Sequence, residues 1–280
     1  MQCRSRARTP LPGCASSTSR ARSMRRAAPA GDRAIRWSPS SSPRSSRVPR
    51  VLDAIRDALA TLFPVRCAGC GRADRGVCAE CRRALQGLGA MVTPLTPSDA
   101  LPLATAAEYD TRMQQLIDSF KERGRADVAS VLGPLLRKSI AAVVQSAATD
   151  SAGAAGDLTA GSIALIPVPS SRSARARRGY EHVPLLLERA MPDARPVRAL
   201  THARRIRDQA GLGVSAREEN LAGSMRAHES LDGVTCIVVD DVVTTGATLR
   251  EAVRALRAVG AVPIGAAAIA RVPRRIVAQT

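Results

Sequence analysis

The stretch Thr235-Cys236-Ile237-Val238-Val239-Asp240-Asp241-Val242-Val243-Thr244-Thr245-Gly246-Ala247-Thr248 decides how the chain reads. Thr235–Val239 is a β-branched, apolar run of the kind that forms a strand buried on both faces. Two carboxylates, Asp240 and Asp241, stand at its carboxyl end. A hydroxyl-rich turn with one glycine follows. From Thr248 onward Leu249, Val253, Leu256 and Val259 mark one face of a helix that stops at Gly260. A strand–loop–helix unit of this kind lays its loop over the carboxyl edge of an open α/β sheet, where such folds bind ligands. The helix start offers unpaired N–H groups and the positive end of a dipole, and Gly246 lets the backbone come close. That pattern suits a phosphate. Adjacent carboxylates cannot serve a phosphate, so they imply hydroxyls to hold or a cation nearby.

Working outward, Ile163–Pro169 is expected to be a second buried strand. After it, Ser170–Tyr180 carries Arg172, Arg175, Arg177 and Arg178 before Gly179, a basic loop suited to gripping pyrophosphate. Leu185–Met191 continues as helix, Pro196–Leu200 reads as a third strand and Gly260–Ala270 as the last one. Arg204–Asn220 is polar and contains Gln209, Arg217, Asn220 and a capping box at Ser215–Glu218. Gly211-Leu212-Gly213 nominally opens a dinucleotide fingerprint, but it follows a polar segment rather than a strand and is set aside. His182, His202 and His228 lack metal-ligand spacing and are expected at the surface.

On the amino-terminal side, Tyr109, Met113, Leu116, Ile117 and Phe120 share a helical face that ends at Lys121 and Gly124. The apolar stretch Val128–Val144 is interrupted by Gly133-Pro134, so a helix is expected to start afresh at Pro134. Residues 150–162 read as a surface loop. Cys67-Ala68-Gly69-Cys70 and Cys78-Ala79-Glu80-Cys81 form two Cys-x-x-Cys pairs. Four sulfurs in tetrahedral array select zinc. Disulfides and redox pairs are the rivals: no secretory signal supports the first, and no thioredoxin-like βαβ unit surrounds the second. Cys236 falls inside the buried strand and reads as core. Val51–Phe63 is an amphipathic helix closed by Pro64.

Net charge is +18 and unevenly spread. Residues 1–50 hold 12 Arg and one acid, Asp32, giving 12 − 1 = +11 and leaving +7 for the remainder. That segment has no apolar periodicity and reads as a disordered basic tail, with an organelle transit peptide and a basic nucleic-acid arm as the alternatives. Lys121 and Lys138 are the only lysines among 42 basic residues. Aromatic residues make up 2%, so the core must be built from Val, Leu, Ile and Ala, and few rings are left for stacking on nucleic-acid bases. No apolar run approaches the roughly 18 residues that cross a bilayer, so a cytoplasmic protein without a membrane span is expected.

The acidic pair and the hydroxyl turn resemble the phosphoribosyl-pyrophosphate (PRPP) loop of type I phosphoribosyltransferases. Over residues 51–272 the order of features narrows the likeness: the Cys-x-x-Cys pairs, a Tyr…Phe-Lys helix, Pro167-Val168-Pro169, Arg177-Arg178-Gly179-Tyr180, and Gln209…Arg217…Asn220. The chain is similar to the ComF family of phosphoribosyltransferase-like proteins, associated in bacteria with competence for DNA uptake. That family continues its Arg-Gly-aromatic motif with Asn-Gln, where this chain has Glu181-His182.

The resemblance implies an α/β fold with a parallel sheet flanked by helices and a small four-cysteine zinc module. It divides the chain into a tail (1–50), the helix and zinc module (51–90) and a phosphoribosyltransferase-like domain (105–275). It implies a transferase of the glycosyltransferase class. Asp240 and Asp241 would hold the ribose. Val242, Val243, Thr244, Thr245, Gly246, Ala247 and Thr248 would wrap the 5′-phosphate, and Arg172, Arg178 and Arg217 would stabilise departing pyrophosphate. Cys67, Cys70, Cys78 and Cys81 would hold structural zinc, and Mg²⁺ would arrive with PRPP. The nitrogenous acceptor stays open, as do a homo-oligomer and DNA-uptake machinery or nucleic acid as partners. The rival class is a non-catalytic accessory protein that senses PRPP.

Overall fold

A computed structural model describes residues 66–73, 76–96, 99–151, 163–203, 221–228 and 230–273. The expected tail, the helix over Val51–Phe63, most of the 150–162 loop and the polar segment 204–220 lie outside them. In chain order the elements are α1 (Ala79–Gln86), β1 (Met91–Thr96), β2 (Asp99–Glu108), α2 (Thr111–Lys121), α3 (Ala129–Ser151), β3 (Ala164–Pro167), α4 (Arg172–Arg178), α5 (His182–Ala190), β4 (Leu200–His202), β5 (Met225–Ala227), β6 (Thr235–Val239), β7 (Val242–Val243), α6 (Ala247–Arg257) and β8 (Val262–Arg271).

The main sheet has the order β1-β2-β8-β6-β3, with β7 on β8. Every pairing is parallel except the β1–β2 edge. The expected α/β architecture is therefore present, with an antiparallel hairpin added at one side. β6 lies between β8 and β3, and its alternating side chains enter two cores. Ile237 and Val239 join Leu132, Leu136, Ile140 and Leu186 on one face, while Cys236 and Val238 join Leu249, Val253 and Leu256 on the other. Burial pushes the Cys236 thiol up to about 12, in keeping with its expected place in the core.

α3 crosses β8 closely. A Cβ on Gly265 would stand 2.3 Å from Val143 Cγ1, so only glycine admits this approach. Gly133 likewise lets α5 in, since a Cβ there would lie 2.7 Å from that of Arg189. The expected break at Pro134 does not occur: Ala129–Ser151 is one helix with Pro134 inside it. The proline forgoes a single N–H bond near the amino end, and the fully buried Leu132, Leu135, Leu136 and Ile140 hold the turns together.

Two other expectations shift. Arg172–Arg178 is a short helix rather than a loop, with Ser171 accepting from Ala174 N at 3.2 Å and Gly179 closing it at φ 77°. Pro196–Leu200 is mostly not strand. Val197 N bonds Leu165 O at 2.9 Å, and the strand proper, β4, pairs antiparallel with β5 in a separate two-stranded hairpin.

Candidate functional site

At the carboxyl end of β6 the chain leaves the sheet through Asp240 and Asp241. Their backbone stays pinned to β8. Asp240 N donates to Ala267 O at 3.0 Å, and Asp241 O accepts from Ile269 N at 3.0 Å. The side chains separate. Asp241 is buried, with Lys121 Nζ 2.8 Å from Oδ1 and 2.7 Å from Oδ2, and His182 Nε2 2.9 Å from Oδ2. Asp240 is half-buried, and its Oδ1 accepts from Asp241 N at 2.8 Å.

These surroundings split the two acids. Burial and then the Asp241 charge push Asp240 up to about 7. Burial would raise Asp241 as well, but the Lys121 ammonium and the His182 ring bond outweigh it and hold that carboxyl well below the usual range.

The next layer is continuous with this one. Arg178 Nη1 lies 3.3 Å from His182 Nδ1, and because arginine only donates, Nδ1 accepts and Nε2 carries the hydrogen that faces Asp241. Ser170 Oγ is 3.0 Å from the same Nδ1. Arg178 Nη2 donates to Glu122 Oε1 at 2.8 Å. The Tyr180 hydroxyl donates to the Phe120 carbonyl, and the two rings sit 5.6 Å apart. The end of α2 (Phe120, Lys121) and the adjoining Glu122 thus meet the acidic pair and the α4–α5 junction together.

His182 was expected at the surface and is instead buried against Asp241. Position alone conceals this, because its partner lies 59 residues away in sequence and is brought in only by the β3–β6 pairing. His202 is half-buried, with Nε2 3.0 Å from Pro169 O, while His228 is exposed as expected. Lys121 was read as a helix end and as part of the Tyr…Phe-Lys feature, without a role at the site. Its signal was compositional: it is one of two lysines in an Arg-dominated chain.

The hydroxyl turn closes onto α6 through Gly246, whose φ of 81° favours glycine. No side chain caps this helix through Gly246, and Ala247 N reaches only Thr245 Oγ1 at 3.3 Å. Val242 and Val243 pair with β8, and Val243 is buried, so these two residues act as scaffold for the turn. Thr244 is exposed, Thr245 and Thr248 half-buried. Of the three expected arginines, Arg178 bonds His182, which in turn faces Asp241, Arg172 opens α4, and Arg217 is outside the described residues.

Away from the acidic pair in sequence, the four cysteine sulfurs lie within 4.8 Å of one another, with Cys70 and Cys78 Sγ 3.7 Å apart. Four ligands about 2.3 Å from a tetrahedral zinc stand about 3.8 Å from each other, so the set fits that ion. A disulfide would bring two sulfurs to about 2 Å, and all four cysteines are free thiols here. Cys67 Sγ accepts from Gly69 N at 3.4 Å and Cys78 N at 3.3 Å. Burial opposes ionisation of Cys67, yet these amide bonds bring its thiol down to about 6, while burial and the neighbouring thiols push Cys81 up.

The Phosphoribosyl transferase domain family matches residues 177–279, which span Arg178, the acidic pair, the turn and β8. The chain is 28% identical over 211 residues to the DNA utilization protein YhgH of Escherichia coli K12, covering 71% of this chain and 86% of that protein. It is 26% identical over 211 residues to the protein of that name from Salmonella typhimurium, with the same coverage. The chain is thus similar to phosphoribosyltransferases over the matched segment and to the DNA utilization proteins over 71% of its length. Among the described residues, no helix is long and apolar enough to cross a membrane.

Proposed function

We propose that the protein binds PRPP at the β6–α6 loop and transfers its phosphoribosyl group to a nitrogenous acceptor. The observation that carries this reading is the division between Asp240 and Asp241 beside an uncapped helix start. Asp241 is already neutralised by Lys121, whereas Asp240 keeps an oxygen for the ribose hydroxyls, and the amides around Gly246–Thr248 suit the 5′-phosphate. In the reaction the acceptor nitrogen forms a bond to the anomeric carbon as the bond to pyrophosphate oxygen breaks. Pyrophosphate leaves with the electron pair, and the acceptor loses its N–H proton. The chain's part is to orient the sugar, clamp the phosphate and meet charge on the leaving group. Arg172, Arg178 and Arg217 are the cations we assign to that last task. Mg²⁺ bound with PRPP would supply further neutralisation of the pyrophosphate, and zinc on the four cysteines would serve structure alone.

A second reading has its own support: Arg178 is engaged by Glu122 and His182, as in a site that recognises PRPP without turning it over. The relatives' name, DNA utilization protein, points the same way, toward a PRPP-responsive accessory role in the handling of DNA. Calorimetry with PRPP and Mg²⁺ tests both readings, since each requires binding. A pyrophosphate-release assay across nitrogenous bases then separates them: release with one base supports transfer, and binding without release supports the sensor. Absence of binding would refute both.

A further inference from the structure

α2 touches both the cysteine knuckle and the acidic pair. Cys67, Ala68, Cys78, Cys81 and Leu85 share one buried cluster with Met113, Leu116, Ile117 and Phe120. The contact is close: a Cβ on Gly69 would stand 3.1 Å from Cys81 Sγ and 3.4 Å from Leu116 Cδ2. The segment after α2 is tied to the knuckle as well. Arg125 Nη1 donates to Arg66 O at 3.2 Å, and a Cβ on Gly76 would meet Asp127 Oδ2 at 2.9 Å. Five residues beyond Leu116, about 7.5 Å along a helix, Lys121 grips Asp241 at 2.7 Å. Glu122 adds its 2.8 Å bond to Arg178.

We propose that Lys121 is a positioning residue for Asp241 whose own place is set by the four-cysteine knuckle, so that the metal state of the cysteines is transmitted along α2 to the β6–α6 loop. A helix moves as a body, and hydrogen bonds weaken steeply with distance and angle. Displacement of α2 by about 1 Å is therefore enough to release Asp241. Relaxation of the knuckle bears on α2, since Leu116 packs beside Gly69 and shares a buried cluster with the cysteines. The loop's role in holding PRPP rests on the function proposed above, whereas the chain of contacts does not.

Hydrogen–deuterium exchange on the full chain, loaded with zinc and then stripped by a chelator, tests the proposal. Exchange of the Val242–Ala247 amides should rise tenfold or more on stripping and return when zinc is restored. Lys121→Met should raise it beforehand and abolish the further response. An unchanged loop on stripping, or an undiminished response in Lys121→Met, overturns the proposal. Should stripping melt β8 as well, zinc-loaded Gly69→Ala decides: it presses on Cys81 and Leu116 while every ligand stays, and an unchanged loop in that variant also overturns the proposal. PRPP titration of the same samples keeps the two ideas apart. Protein that never binds PRPP refutes the proposed function and leaves the exchange result to decide the coupling.

Discussion

Asp241 lies against Lys121 with both carboxylate oxygens and faces His182 with one. Among the described residues Asp240 accepts only from the Asp241 amide, and the help of Lys121 and His182 is outweighed by burial and the Asp241 charge. Their substitutions should therefore differ in sign. Asp241→Asn leaves the Lys121 ammonium without its partner and should lower stability by about 3 kcal/mol, as broken buried pairs do. Asp240 binds its proton more tightly folded than unfolded, because its carboxyl is pushed up from 3.8 to about 7. The fold therefore loses stability as pH rises between those values and gains none below them. Asp240→Asn should remove that slope and raise Tm at pH 8 by a few degrees while weakening PRPP binding at least tenfold. Thermal melts from pH 4 to 8 with parallel calorimetry check this. A lower Tm for Asp240→Asn at pH 8 would contradict the assignment.

Elements hold the site by a few specific contacts. Gly246 joins β7 to α6 at φ 81°, with Leu95 Cδ1 3.4 Å from where a Cβ would stand. Gly246→Val should cost about 1–2 kcal/mol from the left-handed backbone alone and narrow the space beside the α6 amides. We expect lowered stability and a larger loss of PRPP affinity, read by denaturant unfolding and calorimetry. The β4–β5 hairpin, which flanks the segment carrying Arg217, is pinned to α6 by one buried carboxylate. Glu251 Oε1 accepts from Met225 N at 2.9 Å, and Arg254 bonds Glu251 Oε2 at 2.7 Å and Met225 O at 3.0 Å. Burial disfavours the Glu251 charge, but Arg254 and the backbone amides of Met225 and Gly223 hold its carboxyl below the ordinary range. Glu251→Ala strands the Met225 amide, at about 1–3 kcal/mol. Faster exchange at Met225–Ala227 with β6 unaltered is the expected signature.

At the scale of the molecule, the knuckle is not a separate core. Its cysteines pack with α2 and α3, and Lys138 of α3 reaches the carbonyls of Gln86, at 2.8 Å, and of Leu88, just beyond α1. Metal binding to such a site is folding free energy for whatever shares its core. Zinc-loaded protein should melt in one transition. Cys78→Ser should shift that whole transition down by more than ten degrees rather than split off an early phase. Two resolved transitions in calorimetry would show that the knuckle unfolds alone. Metal analysis should find about one zinc per molecule, since the four thiols complete a single tetrahedral set.

The sequence alone determined what depends on local pattern. The β-branched run of β6, the glycine turn into α6 and the paired Cys-x-x-Cys spacing each declare themselves within a few residues, because strand burial, a positive φ and a tetrahedral sulfur set are short-range demands. Pro134 misled because local breaking of a helix costs less than the burial that α3 gains across β8. β2 escaped notice because Leu101–Ala107 is Ala-rich with a proline and has no alternation to announce it. Only the tertiary structure decided which groups face Asp241. Lys121 comes from α2, 120 residues earlier, and His182 from α5, and no periodicity links either to β6. They meet because parallel pairing of β3, β6 and β8 sets the carboxyl ends of distant strands side by side, and charge then selects the partners.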